Sequence, residues 1–322
     1  MNILIIKLGA LGDVVMSTPL VEAIVAAHPK DKVFLLTSPP FEAIYSNFEN
    51  LHIQAFPRRG LRNMFAAVRW IRSLRCTRIY DLQGSDRSAV LCALAGSAQR
   101  VGNRTHYPYT HHPENRWHGQ THIFDRLVLV LASAAVSDVS DLAYLPATNT
   151  ERAKVSDWLS ANNVVEQNFA ILHAGASPSR PEKCWPHFQT LAKRLRDQHI
   201  CPVWIGANDD QRINERLART AGGCDATNCF SVVELAELGR RARFAVTNDS
   251  GPMHVLSASQ IPVFGIFGPS DWRRNHALGQ ADNVIAGVQC IPAYRGANTA
   301  DCLSDLPCEI VWQRLTDAKL IF

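Results

Sequence analysis

The sequence predicts an α/β protein built from two doubly wound domains, each a parallel sheet with helices on both faces. Three observations carry the prediction. The chain has 322 residues, about twice a typical domain of roughly 150 residues. Strand-length, near-continuously apolar runs alternate with amphipathic helical patterns in both halves, as buried parallel strands and their crossover helices do. A proline and small polar residues at 145–150 interrupt that alternation once, which divides the chain into 1–150 and 151–322.

In the first half the apolar runs are 2–8, 32–37, 51–56, 78–83 and 99–102, with helical patterns such as 13–27 and 61–74 between them. The opening run has only four apolar residues before Lys7 and no basic segment ahead of it, so it reads as a strand and not as a signal peptide. In the second half a helix over 151–162 precedes runs at 169–174, 202–205, 244–247, 262–267 and 284–288, again alternating with helical patterns such as 187–198 and 210–221. Composition agrees with a globular enzyme: 47% of residues are hydrophobic and 19% charged, too apolar for disorder. No stretch reaches the roughly 18 apolar residues of a membrane span. Nine cysteines without a C-x-x-C pair read as reduced thiols, and the expected location is the cytoplasm. Basic charge is carried by 26 arginines and 7 lysines, a bias towards planar capture of phosphate or carboxylate.

Ligands of open α/β sheets bind at the carboxyl ends of the strands, so the strand-to-helix loops are the place to look. The first, Lys7-Leu8-Gly9-Ala10-Leu11-Gly12-Asp13, has a G-x-x-G spacing and an acid at the helix start. That acid would repel a pyrophosphate, and together with the missing G-x-G-x-x-G it disfavours a dinucleotide-dependent oxidoreductase. Asp13 reads either as a helix cap or as a general base on the cleft floor. A second loop, 173–186, is rich in Gly, Ser and Pro and carries Arg180 and Lys183, suited to wrapping an anion. A third, 246–254, places Asp249 or Ser250 as a cap, Gly251 for close backbone approach and Pro252 in the first helical turn, a helix start prepared for phosphate. In a fourth, 267–274, Arg273 and Arg274 could meet a second anion or simply flank an exposed turn.

Taken in order, KLGALGDVV, HAGASPSRPEKCWP and TNDSGPMHVLSA followed by PVFGIFGPSD resemble glycosyltransferase family 9, the lipopolysaccharide heptosyltransferases. The resemblance implies a GT-B fold, two Rossmann-like domains facing across a cleft. The first would bind mostly the acceptor and the second mostly the nucleotide sugar, with the last helix packing back on the first domain. It also implies inversion at the sugar carbon without a metal-bound diphosphate, in keeping with the absence of any D-x-D triad. Asp13 then matches the catalytic base, Lys183 a lysine on the donor phosphates and Ser177 a hydroxyl residue on the same group. Asp249, Ser250, Gly251 and His254 match the stretch around diphosphate and sugar. Asn208 stands where the family often has an acid near the ribose, so either its amide replaces that acid or Asp209 does, and another nucleotide sugar remains a rival to ADP-heptose. Intact Asp13, Lys183 and His254 argue against a catalytically silent binding module. No cofactor is implied beyond the donor substrate.

The remaining signals concern the acceptor. Residues 50–80 hold Arg58, Arg59, Arg62, Arg69, Arg72, Arg75 and Arg78 and no acid. The helical part is expected to bury Leu61, Met64, Phe65, Val68 and Ile71 and to turn Arg62, Arg69 and Arg72 outward. Such a run reads as a solvated face or as a capture surface for an anionic glycolipid of lipopolysaccharide type, in peripheral contact with the inner membrane. No nucleic-acid motif accompanies it. Residues 104–122 hold five histidines with Tyr107, Tyr109 and Trp117, more in keeping with aromatic platforms for sugars than with a metal site. Cys290, Cys302 and Cys308 read as buried thiols.

Overall fold

The computed structural model describes residues 1–114, 117, 119–287 and 303–321 and divides the chain into two compact units, Met1–Pro146 and Ala147–Phe322. The first unit is a five-stranded sheet of β1 (Asn2–Ile6), β2 (Lys32–Thr37), β3 (Leu51–Ala55), β4 (Arg78–Asp81) and β5 (Gln99–Val101) in the order β3-β2-β1-β4-β5. Every pairing is parallel, with β1 in the centre and Ile3 to Ile6 buried. Helical Asp13 to Ala27 is in fact two helices, Leu11–Met16 and Thr18–Ala27, broken at Ser17 just ahead of Pro19.

The Leu61–Leu74 helix departs from its sequence pattern. Ala67 and Ile71 join Leu4, Leu36 and Ile79 in the core with Met64 and Val68 beside them. Leu61 and Phe65, expected in the core, are 78% and 72% exposed. The helical stripe is right in period, but only Met64, Ala67, Val68 and Ile71 of it meet the core.

The second unit is a six-stranded sheet of β6 (Phe169–His173), β7 (Cys201–Trp204), β8 (Cys224–Asp225), β9 (Phe244–Asn248), β10 (Val263–Phe267) and β11 (Val284–Ala286). Its order is β11-β10-β9-β6-β7-β8, again wholly parallel. Successive residues of β6 feed opposite faces: Ala170 and Leu172 enter one core, Phe169 and Ile171 the other. This two-sided burial is why the strands read as unbroken apolar runs. The unit's first helix, Asn149–Ala161, begins two residues earlier than its sequence pattern because Thr148 and Glu151 form a capping box. The last helix, Cys308–Asp317, was expected against the first domain. Within the second unit its Cys308, Val311 and Leu315 complete the core, Arg194 lies 4.2 Å over the Trp312 ring, and Trp185 Nε1 donates to the Leu306 carbonyl at 2.8 Å. Among the described residues no helix is long and apolar enough to cross a membrane.

Both sheets reverse strand order beside their first strand, between β1 and β4 and between β6 and β9. The loops leaving these four strands are therefore splayed apart over a crevice in each unit.

Candidate active site

In the first unit the loop after β1 is held from two sides. The Leu8 amide donates to Gln83 Oε1 at 2.8 Å, and Ser38 Oγ donates to the Leu8 carbonyl at 2.8 Å. Gly9 has φ +132°, and a Cβ there would come within 2.5 Å of the Phe41 ring and 3.1 Å of the Arg58 guanidinium. Only glycine fits, and Arg58 borders the loop that carries Asp13. The Leu11–Met16 helix is capped by Ala10 with no side-chain bond, and Asp13 lies in its first turn. The cap is thus Ala10 and not Asp13, whose side chain is half-buried.

Lys7 went unremarked as a functional residue in the sequence, yet it is 2% exposed and donates to the Leu82 carbonyl at 3.1 Å. Burial pushes its ammonium below the usual lysine range, opposed by the charges of Asp13 and Asp81. Asp81 is buried and accepts from the Gln83 and Gly84 amides at 2.9 and 3.0 Å and from Tyr109 at 2.5 Å. Burial still carries the Asp81 carboxyl above its usual range despite those donors. A lysine with an apolar stem at the end of an apolar strand gives no period signal, which is why sequence reasoning passed over it.

In the second unit three strand-end loops converge. Asn248, fully buried at the end of β9, donates to the Ala174 and Gly175 carbonyls at 2.9 and 3.0 Å and accepts the Trp185 amide at 3.0 Å. The same two loops are joined by Lys183 Nζ on Asp249 Oδ2 at 2.6 Å. Ser250 precedes the Gly251–Ser257 helix, but its hydroxyl does not cap it. Ser250 Oγ lies 3.0 Å from His173 Nδ1 and 3.2 Å from the Asn248 carbonyl. His173 in turn faces Asp210 Oδ2 at 3.5 Å. His254 is buried one turn inside that helix. Lys183, Asp249, Ser250 and Gly251 thus come together with His173, which the sequence supplied only as the first letter of a motif, and Asp210, which it supplied only as a helix start.

The other candidates are peripheral to this cluster or differently engaged. Ser177 is exposed and bonds Ser179 at 2.9 Å. Asn208 and Asp209 are exposed, with Asn208 Oδ1 accepting from Asn228 at 2.7 Å. Arg273 Nε pairs with Asp271 at 2.7 Å, which answers the charge expected to meet a second anion. In the first unit Arg58, Arg62, Arg69 and Arg72 are all exposed. A cavity of about 380 Å³ is lined by Asn103, Arg104, Thr105, His106, Pro113, Trp117 and Gly119, within the segment read as a sugar platform. Among the described residues no three His, Cys, Asp or Glu converge as metal ligands. Cys290 and Cys302 lie outside the described residues, and Cys308 is buried.

Known proteins align with this arrangement. The family model of glycosyltransferase family 9 (heptosyltransferase) matches residues 64–303. Lipopolysaccharide heptosyltransferase 2 of Escherichia coli K12 is 25% identical over 98% of this chain and 97% of its own. Among solved structures, a family 9 glycosyltransferase of Veillonella parvula superposes with a TM-score of 0.83 at 20% identity, covering 98% of this chain and 96% of that one. The E. coli heptosyltransferase WaaC with ADP gives 0.74 at 20% identity, covering 98% and 99%. The fold is accordingly GT-B.

The Asn248 clip makes one prediction. Asn248→Asp keeps the acceptor for Trp185 but places a carboxylate against two carbonyls, so stability should fall by about 2–4 kcal/mol, read from urea unfolding. An unfolding midpoint equal to wild type would mean that this side chain does not hold the loops.

Proposed function

The chain belongs to glycosyltransferase family 9, and from that premise we propose that it transfers a heptose from ADP-heptose to a lipopolysaccharide inner-core acceptor, with inversion and without a metal. The observation that carries the reading is the convergence of Lys183, Asp249, Ser250 and Gly251 at the ends of β6 and β9, on the residues where the family handles diphosphate. In this reading Asp13 takes the proton of the acceptor hydroxyl as its oxygen attacks the anomeric carbon. The bond from that carbon to the diphosphate breaks, and ADP carries away the negative charge. Lys183, already oriented by Asp249, and the backbone amides after Ser250 are fixed donors that stabilise the charge as it develops. Lys7, buried on the same loop, feels the charge of Asp13. His254 borders the sugar and Ser177 the phosphates.

Asn208 and Asp209 are both exposed on the loop after β7, and a different nucleotide sugar is the second reading that this departure from the family pattern supports. A binding screen of ADP-, UDP- and GDP-sugars separates the two.

For the acceptor, Arg58 borders the Asp13 loop while Arg62, Arg69 and Arg72 extend the charge along an exposed face. Leu61 and Phe65 project from the first turns of the same helix. Arginines beside exposed apolar side chains suit peripheral contact with an anionic leaflet at the cytoplasmic face of the inner membrane, where each basic residue contributes about 1 kcal/mol.

Three outcomes are expected. Asp13→Asn should lower turnover by about 10² to 10⁴ with donor affinity unchanged, in an assay where wild type keeps its rate in EDTA; turnover within threefold of wild type would remove Asp13 as the base. Lys183→Ala should weaken ADP binding and turnover together, with Lys183→Arg rescuing in part, whereas unaltered ADP affinity would contradict the phosphate role. Replacing Arg62, Arg69 and Arg72 together by Gln should raise the acceptor KM and flatten its salt dependence while leaving the donor KM in place, because the donor residues belong to the other unit. An unchanged acceptor KM and salt slope would make this a solvated helix face.

A further inference from the structure

One buried side chain at the centre of the second unit's cluster has no part in the transfer described above. His173 ends β6 and is 2% exposed. Its Nδ1 lies 3.0 Å from Ser250 Oγ and its Nε2 lies 3.5 Å from Asp210 Oδ2. Asp210 also accepts the Ala207 amide at 2.9 Å. The carboxylate passes between two glycines: a Cβ on Gly175 would fall 1.7 Å from Asp210 Oδ1, and one on Gly206 would fall 2.5 Å from Asp210 Cβ. The loops after β6 and β7 are therefore built around this carboxylate, and His173 links it to the loop after β9.

Protonation of the ring decides where the Ser250 hydrogen points. With Nε2–H directed at Asp210, a neutral ring presents a bare Nδ1, which accepts the Ser250 hydrogen. A ring protonated on both nitrogens donates Nδ1–H to Ser250 Oγ instead, and the hydroxyl hydrogen turns to the Asn248 carbonyl, 3.2 Å away, or to a ligand oxygen. Phosphate oxygens accept and do not donate when ionised, so only the second state welcomes a diphosphate.

We propose that the Asp210–His173–Ser250 chain couples nucleoside diphosphate binding to the uptake of one proton. His173 takes that proton from solvent on Nδ1 as the ligand docks, Ser250 donates to a phosphate oxygen, and the proton returns to solvent when the nucleoside diphosphate leaves. The inference rests on the phosphate role of Ser250 given under the proposed function. His173 touches no substrate atom and acts as a positioning residue through Ser250.

The surrounding charges permit it. Burial pushes the Asp210 carboxyl up, but the hydrogen bond and charge of His173 and the Ala207 amide outweigh burial and hold it below the usual carboxylate range. Asp210 thus stays ionised at neutral pH and can hold a cationic ring. Cys184, raised by burial and then by the Asp210 charge, remains a neutral thiol. On the flanking loops Lys183 and Asp249 neutralise each other.

Titration calorimetry with ADP, in two buffers of different ionisation enthalpy at pH 7.5 and 8.5, tests the chain. Wild type should take up a proton, and its ADP affinity should fall by up to about tenfold per pH unit. His173→Gln, whose amide donates to Ser250 without titrating, and Ser250→Ala, a small change that spares the fold, should both lose that uptake and its share of the pH dependence. Protonation of ADP itself is common to the three proteins and cancels in the difference. Equal proton counts in wild type and both variants would overturn the proposal. If ADP fails to bind wild type while another nucleoside diphosphate binds, the donor reading falls and the same titration with that nucleotide decides on His173. If none binds, both fall.

Discussion

The buried amide of Asn248 is the contact on which the second unit's site depends. It ends β9, and its three hydrogen bonds all reach the loop that leaves the neighbouring strand β6. A side chain with two donors and an acceptor meets two carbonyls and an amide that would otherwise be buried without partners, a cost of about 1–3 kcal/mol for each such group. Satisfying them fixes where the following residues stand. Lys183 can then reach Asp249, and His173 can reach Ser250.

The first unit solves the same problem with different residues. There the loop after β1 is held by Gln83, which follows β4, while Lys7 reaches across to the Leu82 carbonyl. In both units the strand beside the reversal of strand order supplies the polar group that pins the loop of its neighbour. The doubly wound topology separates these loops from the rest of the sheet edge, and buried polar side chains then set them at fixed spacing. Rigidity of this kind is what a charge-stabilising site needs, since donors already oriented before the reaction do not have to reorganise during it. The first unit holds an acid beside a buried cation, and the second holds a paired lysine among hydroxyl and amide donors.

Exposed Leu61 and Phe65 mark a limit of pattern reading. A hydrophobic stripe of helical period states which side chains share a face, but burial needs something for that face to meet. Met64, Ala67, Val68 and Ile71 pack into the core, and Leu61 and Phe65 remain exposed. The last helix is a similar case: its amphipathic pattern does not say what it meets, and Cys308, Val311 and Leu315 find the second unit's core.

The sequence by itself determined the alternation of strands and helices, a junction somewhere in 145–150, and the loops that carry Asp13, Lys183, Asp249 and Ser250. Each of these follows from local pattern: strands buried on both faces are continuously apolar, and strand-end loops need glycine, proline and capping residues. Only the tertiary structure decided what those residues do to one another. That Ala10 and not Asp13 is the helix cap, that Ser250 turns to His173, that Asp210 faces His173, and that Lys7 is buried on Leu82 are facts of proximity that the chain order does not show. Hydrogen bonds and Coulomb interactions act over a few ångströms in space and leave no period in sequence, so these partners became visible only once the sheets had brought their strand ends together.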